Sequence, residues 1–471
     1  MSISLSISDI TDIHTMLHYI DIIILALYFV ITFILGFVYR SPKDTSSYVL
    51  MGRRLTLAPF VMTLVSTWYG GILGVSEFSY SYGLSNWVIF GLPYYCFGIL
   101  FAVLVAKRAH RLNVSSLPEI MGRDYGPRAG IIASFWVMVL ASPAPYILTL
   151  GLLLNYFLGV SLLPALILGG LFSLLYILKG GLGSVVKTDV LQFVLMFAGF
   201  SVLLIILMVK HGSPLELWNN LPQSHTSLTG GNSIGYILVW FFIGSWTLVD
   251  PGFHQRVYAA KSAHIAKRGV LIAVGFWFIF DMMTTLTGLY AFSLLPASTN
   301  PSQAFLLLGG QILPPGLAGL FFVGILATVM STLDSNTLVS GISLGRDICG
   351  NIPFFKRWET TLRIKISMGF IMVLGILLAW QVPSVVDLWY TFGTISIPAL
   401  LFPTLLSVLN KPGAPRAVVA SLILSPLASV AWFLFAKVDE WTYFWGIEPF
   451  FPGILMSFSI LFFSSKFKKE L

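Results

Sequence analysis

Ser66-Thr67-Trp68-Tyr69-Gly70-Gly71, with Gly74 beyond, interrupts an apolar run from Leu57 to Tyr82 that is long enough to cross a bilayer. A second interruption, Gly244-Ser245-Trp246-Thr247 and then Asp250-Pro251-Gly252, breaks the run that starts at Ile234. Either break alone carries little weight, because glycine is common in membrane helices, where it lets backbones approach closely. Counting apolar runs along the chain puts the breaks in the second and seventh spans. An odd offset sets the two segments in opposite directions across the membrane. Paired breaks in inverted halves point to an inverted-repeat transporter with its binding site near the bilayer midplane.

The rest of the chain agrees with a membrane reading. Of 471 residues, 57% are hydrophobic and only 10% charged, with mean hydropathy +0.88. A soluble domain carries about 25% charged residues. Apolar runs of near-spanning length number about thirteen. They divide into an N-terminal helix at 19–39, a block at 57–209, a second block at 234–408 and two C-terminal helices at 417–463. The expected fold is an all-α integral membrane protein forming one transmembrane domain over 1–471. The first run lacks a basic leader and a small-residue cleavage site, and reads as a retained helix.

Charge placement sets the orientation. With the N-terminus outside, only Lys210 and Lys437 of the 27 Lys and Arg residues fall in outer segments. The remainder, from Arg40 and Lys43 to Lys468 and Lys469, fall in inner ones, as the positive-inside rule requires. The expected location is the plasma (inner) membrane, multi-pass, with a cytoplasmic C-terminus. The net charge of +8 therefore reports topology and not a nucleic-acid partner. On this reading every Lys and Arg lies in a loop or at a helix end, Arg256 included. Cys96 and Cys349 are the only cysteines, too few for a disulfide framework or a cysteine metal cluster. The seven histidines form no metal-spaced pair within a span, and no nucleophile stands beside a base, so an enzyme is not expected.

Polar residues collect in two spans. The ninth carries Thr328, Ser331, Thr332, Asp334 and Ser335, which fall on one broad arc at about 100° per residue. An arc of oxygens suits a hard cation such as sodium. Ser and Thr alone would read as helix glue, but an intramembrane carboxylate is costly and marks function by default. Asp189, in the stretch Gly180-Gly181 to Thr188-Asp189 and Gln192, begins the sixth span and reads alone as a helix cap near the inner surface.

These residues, with Pro315-Gly316-Leu317-Ala318-Gly319-Leu320 leading into Met330-Ser331-Thr332-Leu333-Asp334-Ser335, resemble a signature of the sodium:solute symporter family. Gln255-Arg256 before Ala259-Ala260-Lys261, Gly52-Arg53 and Leu117-Pro118-Glu119 match as well. The resemblance implies a LeuT-type core of two five-helix inverted repeats with one extra N-terminal and two extra C-terminal helices. It implies a first sodium site at the Leu64, Thr67 and Thr328 carbonyls and the Ser331 and Thr332 hydroxyls. Some members hold a second sodium, which here would use Asp189, Ser331, Asp334 and Ser335. Where Ser66 aligns, a proline-transporting branch carries an acid and a sugar-transporting branch an Asn. A sugar-type Asn-Gln-Tyr appears here as Asp250-Pro251-Gly252. Substrate is inherited from neither branch.

The expected function is sodium-coupled import of a small organic solute by alternating access. A sodium-independent uniporter or channel and a sodium-sensing receptor are the rivals. The receptor usually needs an output domain, and the tail after Phe463 is short. The solute is expected against Ser66, Trp68, Gly70, Trp246, Asp250 and Asp281. Glu77, Asp250 and Asp281 lie on spans around that place, with no Lys or Arg expected at their depth. An ionised acid there needs a partner, and a substrate amine supplies one. Competing readings are a helix cap for Asp250, protonation or a bond to Thr284 or Thr285 for Asp281, and an outer-surface position for Glu77.

Overall fold

The computed structural model describes residues 17–38, 44–438 and 443–467. Tyr39, Arg40, Lys43, Lys468 and Lys469, used above for spans and charge, lie outside the described residues. The principal helices are α1 (Tyr19–Val38), α2 (Leu57–Ser66), α3 (Ile72–Tyr82), α4 (Leu92–Leu100), α5 (Pro127–Leu140), α6 (Ala144–Leu158), α7 (Leu162–Gly180) and α8 (Leu182–His211). There follow α9 (Ile234–Ile243), α10 (Pro251–Ala259), α11 (Ala263–Leu294), α12 (Leu317–Ile342), α13 (Thr360–Gln381), α14 (Val385–Val408), α15 (Pro415–Phe435) and α16 (Phe450–Phe467). Among the described residues eleven helical stretches are long and apolar enough to cross a membrane. The second and thirteenth expected spans fall on the shorter apolar helices Leu57–Ser66 and Phe450–Ser464.

Burial separates the central helices from the peripheral ones. The most apolar window of the stretch containing α12 is 89% buried, against 28% for α1 and 33% for α15. α12 lies directly on α8 because both carry glycine at the crossing. A Cβ on Gly199 would stand 3.3 Å from the Cα of Gly324 and 3.1 Å from that of Phe321. Lipid offers no hydrophobic gain for helix association, so this close backbone packing supplies much of the attraction.

Both expected breaks are present. α2 ends with Thr67 as its cap, and the helix resumes only at Ile72. Space demands the glycines between them. A Cβ on Gly70 would meet Tyr146 at 2.4 Å and Thr332 at 2.5 Å, and one on Gly71 would meet Trp389 at 1.9 Å. The second break separates α9 from α10 by the single turn Trp246–Val249. Asp250 then caps α10, accepting from the Phe253 amide at 2.8 Å, with Pro251 at the first helical position. Non-helical backbone at such depth is tolerated only inside protein or along a cavity.

At its N-terminal end α12 is capped from another helix. Asp21 of α1, buried, accepts from the amides of Gly316 and Gly319 at 2.7 Å each. This carboxylate satisfies donors that a helix start leaves free.

Candidate functional site

The first break meets α12 at a buried cluster of oxygens. Ser331 Oγ lies 2.7 Å from Asp189 Oδ1 and 2.9 Å from Ser66 Oγ. Thr63 donates to Asp189 Oδ2. Thr332 Oγ1 donates to the Thr328 carbonyl at 3.1 Å, and Thr67 Oγ1 donates to the Thr63 carbonyl. The residues expected at a first sodium site thus stand on two facing elements, α12 and the end of α2. Ser66 belongs with them: it is fully buried, and its hydroxyl bonds Met62 and Ser331. Asp189 is no cap, since α8 begins seven residues earlier at Leu182 and runs through it.

Arg256 corrects the charge map. It was expected in an inner loop. The guanidinium is instead buried, 1% exposed, inside this cluster. Its Nη2 donates to Ser335 Oγ at 2.6 Å and to Thr63 Oγ1 at 3.2 Å, and pairs with Asp189 Oδ2 at 3.5 Å. The physical reason is the second break. α10 is polar in sequence yet buried along its whole length from Pro251 to Ala259. A polar stretch after an apolar run reads as a loop, whereas here it is a half-helix turned into the core.

The four residues expected at a second sodium site divide. Asp189, Ser331 and Ser335 share the cluster with Arg256. Asp334 faces away: its carboxylate accepts from Ser173 Oγ at 2.5 Å and from the Tyr176 hydroxyl, both on α7. The five polar side chains of α12 therefore serve two sides of the helix.

Beside the cluster lies a cavity between the two breaks. Trp68, Tyr69, Tyr94, Tyr146, Trp246, Phe253 and Trp389 supply aromatic faces to its wall. Leu64, Thr67, Asp250, Arg256, Asp281, Thr332, Ser335 and Asn336 also line it. Of the residues expected to meet solute, Trp68, Trp246, Asp250 and Asp281 are on this wall, whereas Ser66 and Gly70 are behind it. Asp250 combines its capping role with the cavity, accepting from Trp246 Nε1 at 3.1 Å. Asp281 accepts from the Tyr95 hydroxyl. Thr284 and Thr285 are otherwise engaged, with the Asp281 carbonyl and with Asn86. Glu77 is exposed and is not on the cavity wall. Sequence reasoning missed Thr63, Asn336 and Trp389. No signal marked them, because each is an unremarkable residue until the helices are assembled.

The model of the sodium:solute symporter family matches residues 48–423. The sodium/proline symporter of Staphylococcus aureus is 23% identical over 95% of this chain and 93% of its own length. The osmoregulated proline transporter OpuE of Bacillus subtilis is 24% identical over 93% of each. Among solved structures, a Na+-coupled sialic acid symporter superposes with TM-score 0.78 at 19% identity, covering 96% of this chain and 98% of that one. The transporter Mhp1 superposes with TM-score 0.59 at 13% identity.

Proposed function

The chain belongs to the sodium:solute symporter family, and from that premise we propose that it imports a small organic solute bearing an amino or other cationic group. It is a multi-pass membrane transporter and not an enzyme. The family and its relatives support sodium-coupled symport. Residues 57–209 and 234–408 are read as the two inverted repeats, each opening on a broken helix. One sodium ion is assigned to the Leu64, Thr67 and Thr328 carbonyls and the Ser331 and Thr332 hydroxyls. Those oxygens suit a hard cation.

The observation that carries the solute class is the cavity wall. Aromatic faces attract cations through the ring quadrupole, and two acids, Asp250 and Asp281, stand among them against one guanidinium, Arg256, which pairs with Asp189 and also acts on Asp250. Uptake into vesicles, with and without a sodium gradient, is expected to select amines or amino acids over sugars and simple carboxylates. Asp250→Asn should weaken apparent solute affinity about tenfold, the size of one charge-assisted hydrogen bond, with sodium affinity nearly intact. Uptake confined to sugars or anions, with full activity in Asp250→Asn and Asp281→Asn, would reject this solute class. Uptake indifferent to sodium would favour a uniporter.

Orientation follows from the basic residues: N-terminus outside, C-terminus cytoplasmic. In a background lacking Cys96 and Cys349, a cysteine at Leu228 should react with an impermeant thiol reagent from outside. One at Lys356 should react only after permeabilisation. Labelling of both in intact cells would overturn the assignment.

A further inference from the structure

Asp334 is fully buried, and the cluster around Asp189 does not account for it. Ser173 and Tyr176 each donate to one of its oxygens, which is the pattern around an ionised carboxylate. An ionised acid held at this depth needs a counter-charge. Arg256 pairs with Asp189 instead.

Oxygens with unused capacity stand on the same side of α12. α1 and α12 run in parallel: Asp21 meets Gly316 and Gly319 near their starts, and the Tyr28 hydroxyl meets Met330 Sδ at 3.4 Å further along. One turn on from each of these partners come Thr32 on α1 and Asp334 on α12. Tyr28 also accepts from Gln192 Nε2 at 3.2 Å, which brings the amide of α8 into the same layer. α1 is pressed against α7 here, since a Cβ on Gly36 would stand 2.5 Å from Tyr176 Cδ2. Both Thr32 Oγ1 and Gln192 Oε1 are buried with no hydrogen bond of ordinary geometry. An orphaned buried oxygen asks for a bound water or ion. Gln192 Oε1 can only accept, so another acceptor such as the carboxylate cannot satisfy it. A hard cation satisfies both.

We propose that Asp334, Ser173, Tyr176, Thr32 and Gln192 form a sodium site on the side of α12 away from Asp189, with α1 supplying part of its shell. The carboxylate cancels the ion's charge. The hydroxyls that donate to it keep lone pairs for the ion, and the count approaches the about six oxygens a hard cation takes. The N-terminal helix, outside the two repeats, thereby becomes part of the ion machinery. The proposal rests on the sodium-symport reading above.

Equilibrium binding of radioactive sodium to the purified full-length protein tests it. The wild type should bind two ions per chain, and Asp334→Asn one. Gln192→Leu and Thr32→Val keep the packing and remove one oxygen each. Each should weaken the second ion about tenfold and leave the first unchanged, which keeps the test decisive where Asp334→Asn fails to fold. One ion per wild-type chain would overturn the proposal. So would two ions with the second lost in Asp189→Asn and kept in Gln192→Leu, which would put it in the Arg256 cluster. A pH-dependent uptake that Asp334→Asn abolishes, with sodium binding unchanged, would make the group at Asp334 a proton and overturn it too. No sodium binding in any variant would instead strike the symport reading itself.

Discussion

Arg256→Met is expected to cost about 3–5 kcal/mol of stability and to abolish sodium-driven uptake. Removing one partner of a buried pair leaves the other charge uncompensated, which is the expensive case. Here the stranded group is Asp189, fully buried in α8. Ser335 and Thr63 lose donors as well, because the same guanidinium nitrogen serves both. Replacing both members, Arg256→Met with Asp189→Asn, should recover much of the lost stability, since an uncharged pair strands no charge. It should not recover transport. Lysine is no substitute, because a single ammonium lacks the planar fork that spans Ser335, Thr63 and Asp189 together. Thermal unfolding of the three variants in detergent is the check. A single Arg256→Met variant that melts with the wild type would show that the pair holds nothing together.

How far such a site is visible before folding depends on which physical signal each residue carries. Spanning helices announce themselves by length and apolarity, so the helical architecture is legible. The two breaks are legible because glycine pairs and Asp250-Pro251 punctuate apolar runs. Ser331 and Thr332 are legible because hydroxyls beside an intramembrane carboxylate are out of place in lipid, whereas Asp189 reads alone as a cap and joins them only through the family resemblance. Arg256 is not legible, because hydropathy averages over α10 and returns a polar loop, although the break at Asp250 turns that half-helix inward. Asp334 was grouped with Ser331 by helical arc and by the family resemblance. The arc spans about 160°, wide enough to touch different neighbours on its two edges, and only the positions of α1 and α7 decide which. The use of Asp21 as a cap for α12 leaves no sequence trace, since its partners lie nearly 300 residues away.

The arrangement links ion and solute through shared elements. Thr67, Thr332 and Ser335 lie on the cavity wall, and Thr332 also bonds the Thr328 carbonyl. Gly70 brings the first break within contact of Thr332 and Tyr146. An ion that pulls the end of α2 toward α12 therefore also sets the position of Trp68 and Tyr69 on the wall. Coupling of this kind needs a differential affinity of the ion for two arrangements of the same contacts. The facing oxygens of two separate helical elements are suited to supply it, because an ion held between them favours the arrangement that brings them together.

That reasoning makes the paired substitution Ser331→Ala with Thr332→Ala the sharpest test of the first ion. On the proposed assignment each hydroxyl is one oxygen of a site of about five or six. Losing a charge-assisted contact costs about 1–2 kcal/mol, or roughly 5–30-fold in affinity. The two are adjacent on α12, so their effects need not add. The pair is still expected to raise the sodium concentration for half-maximal uptake at least about 30-fold. Solute affinity at saturating sodium should change far less, because Ser331 bonds Ser66 and Asp189 behind the wall and only Thr332 reaches it. Thr332→Ser, which keeps the oxygen, should restore most of the sodium response in a background with Ser331 intact. A sodium dependence unchanged in the double variant would remove these hydroxyls from the ion's shell and with them the proposed link between α12 and the first break.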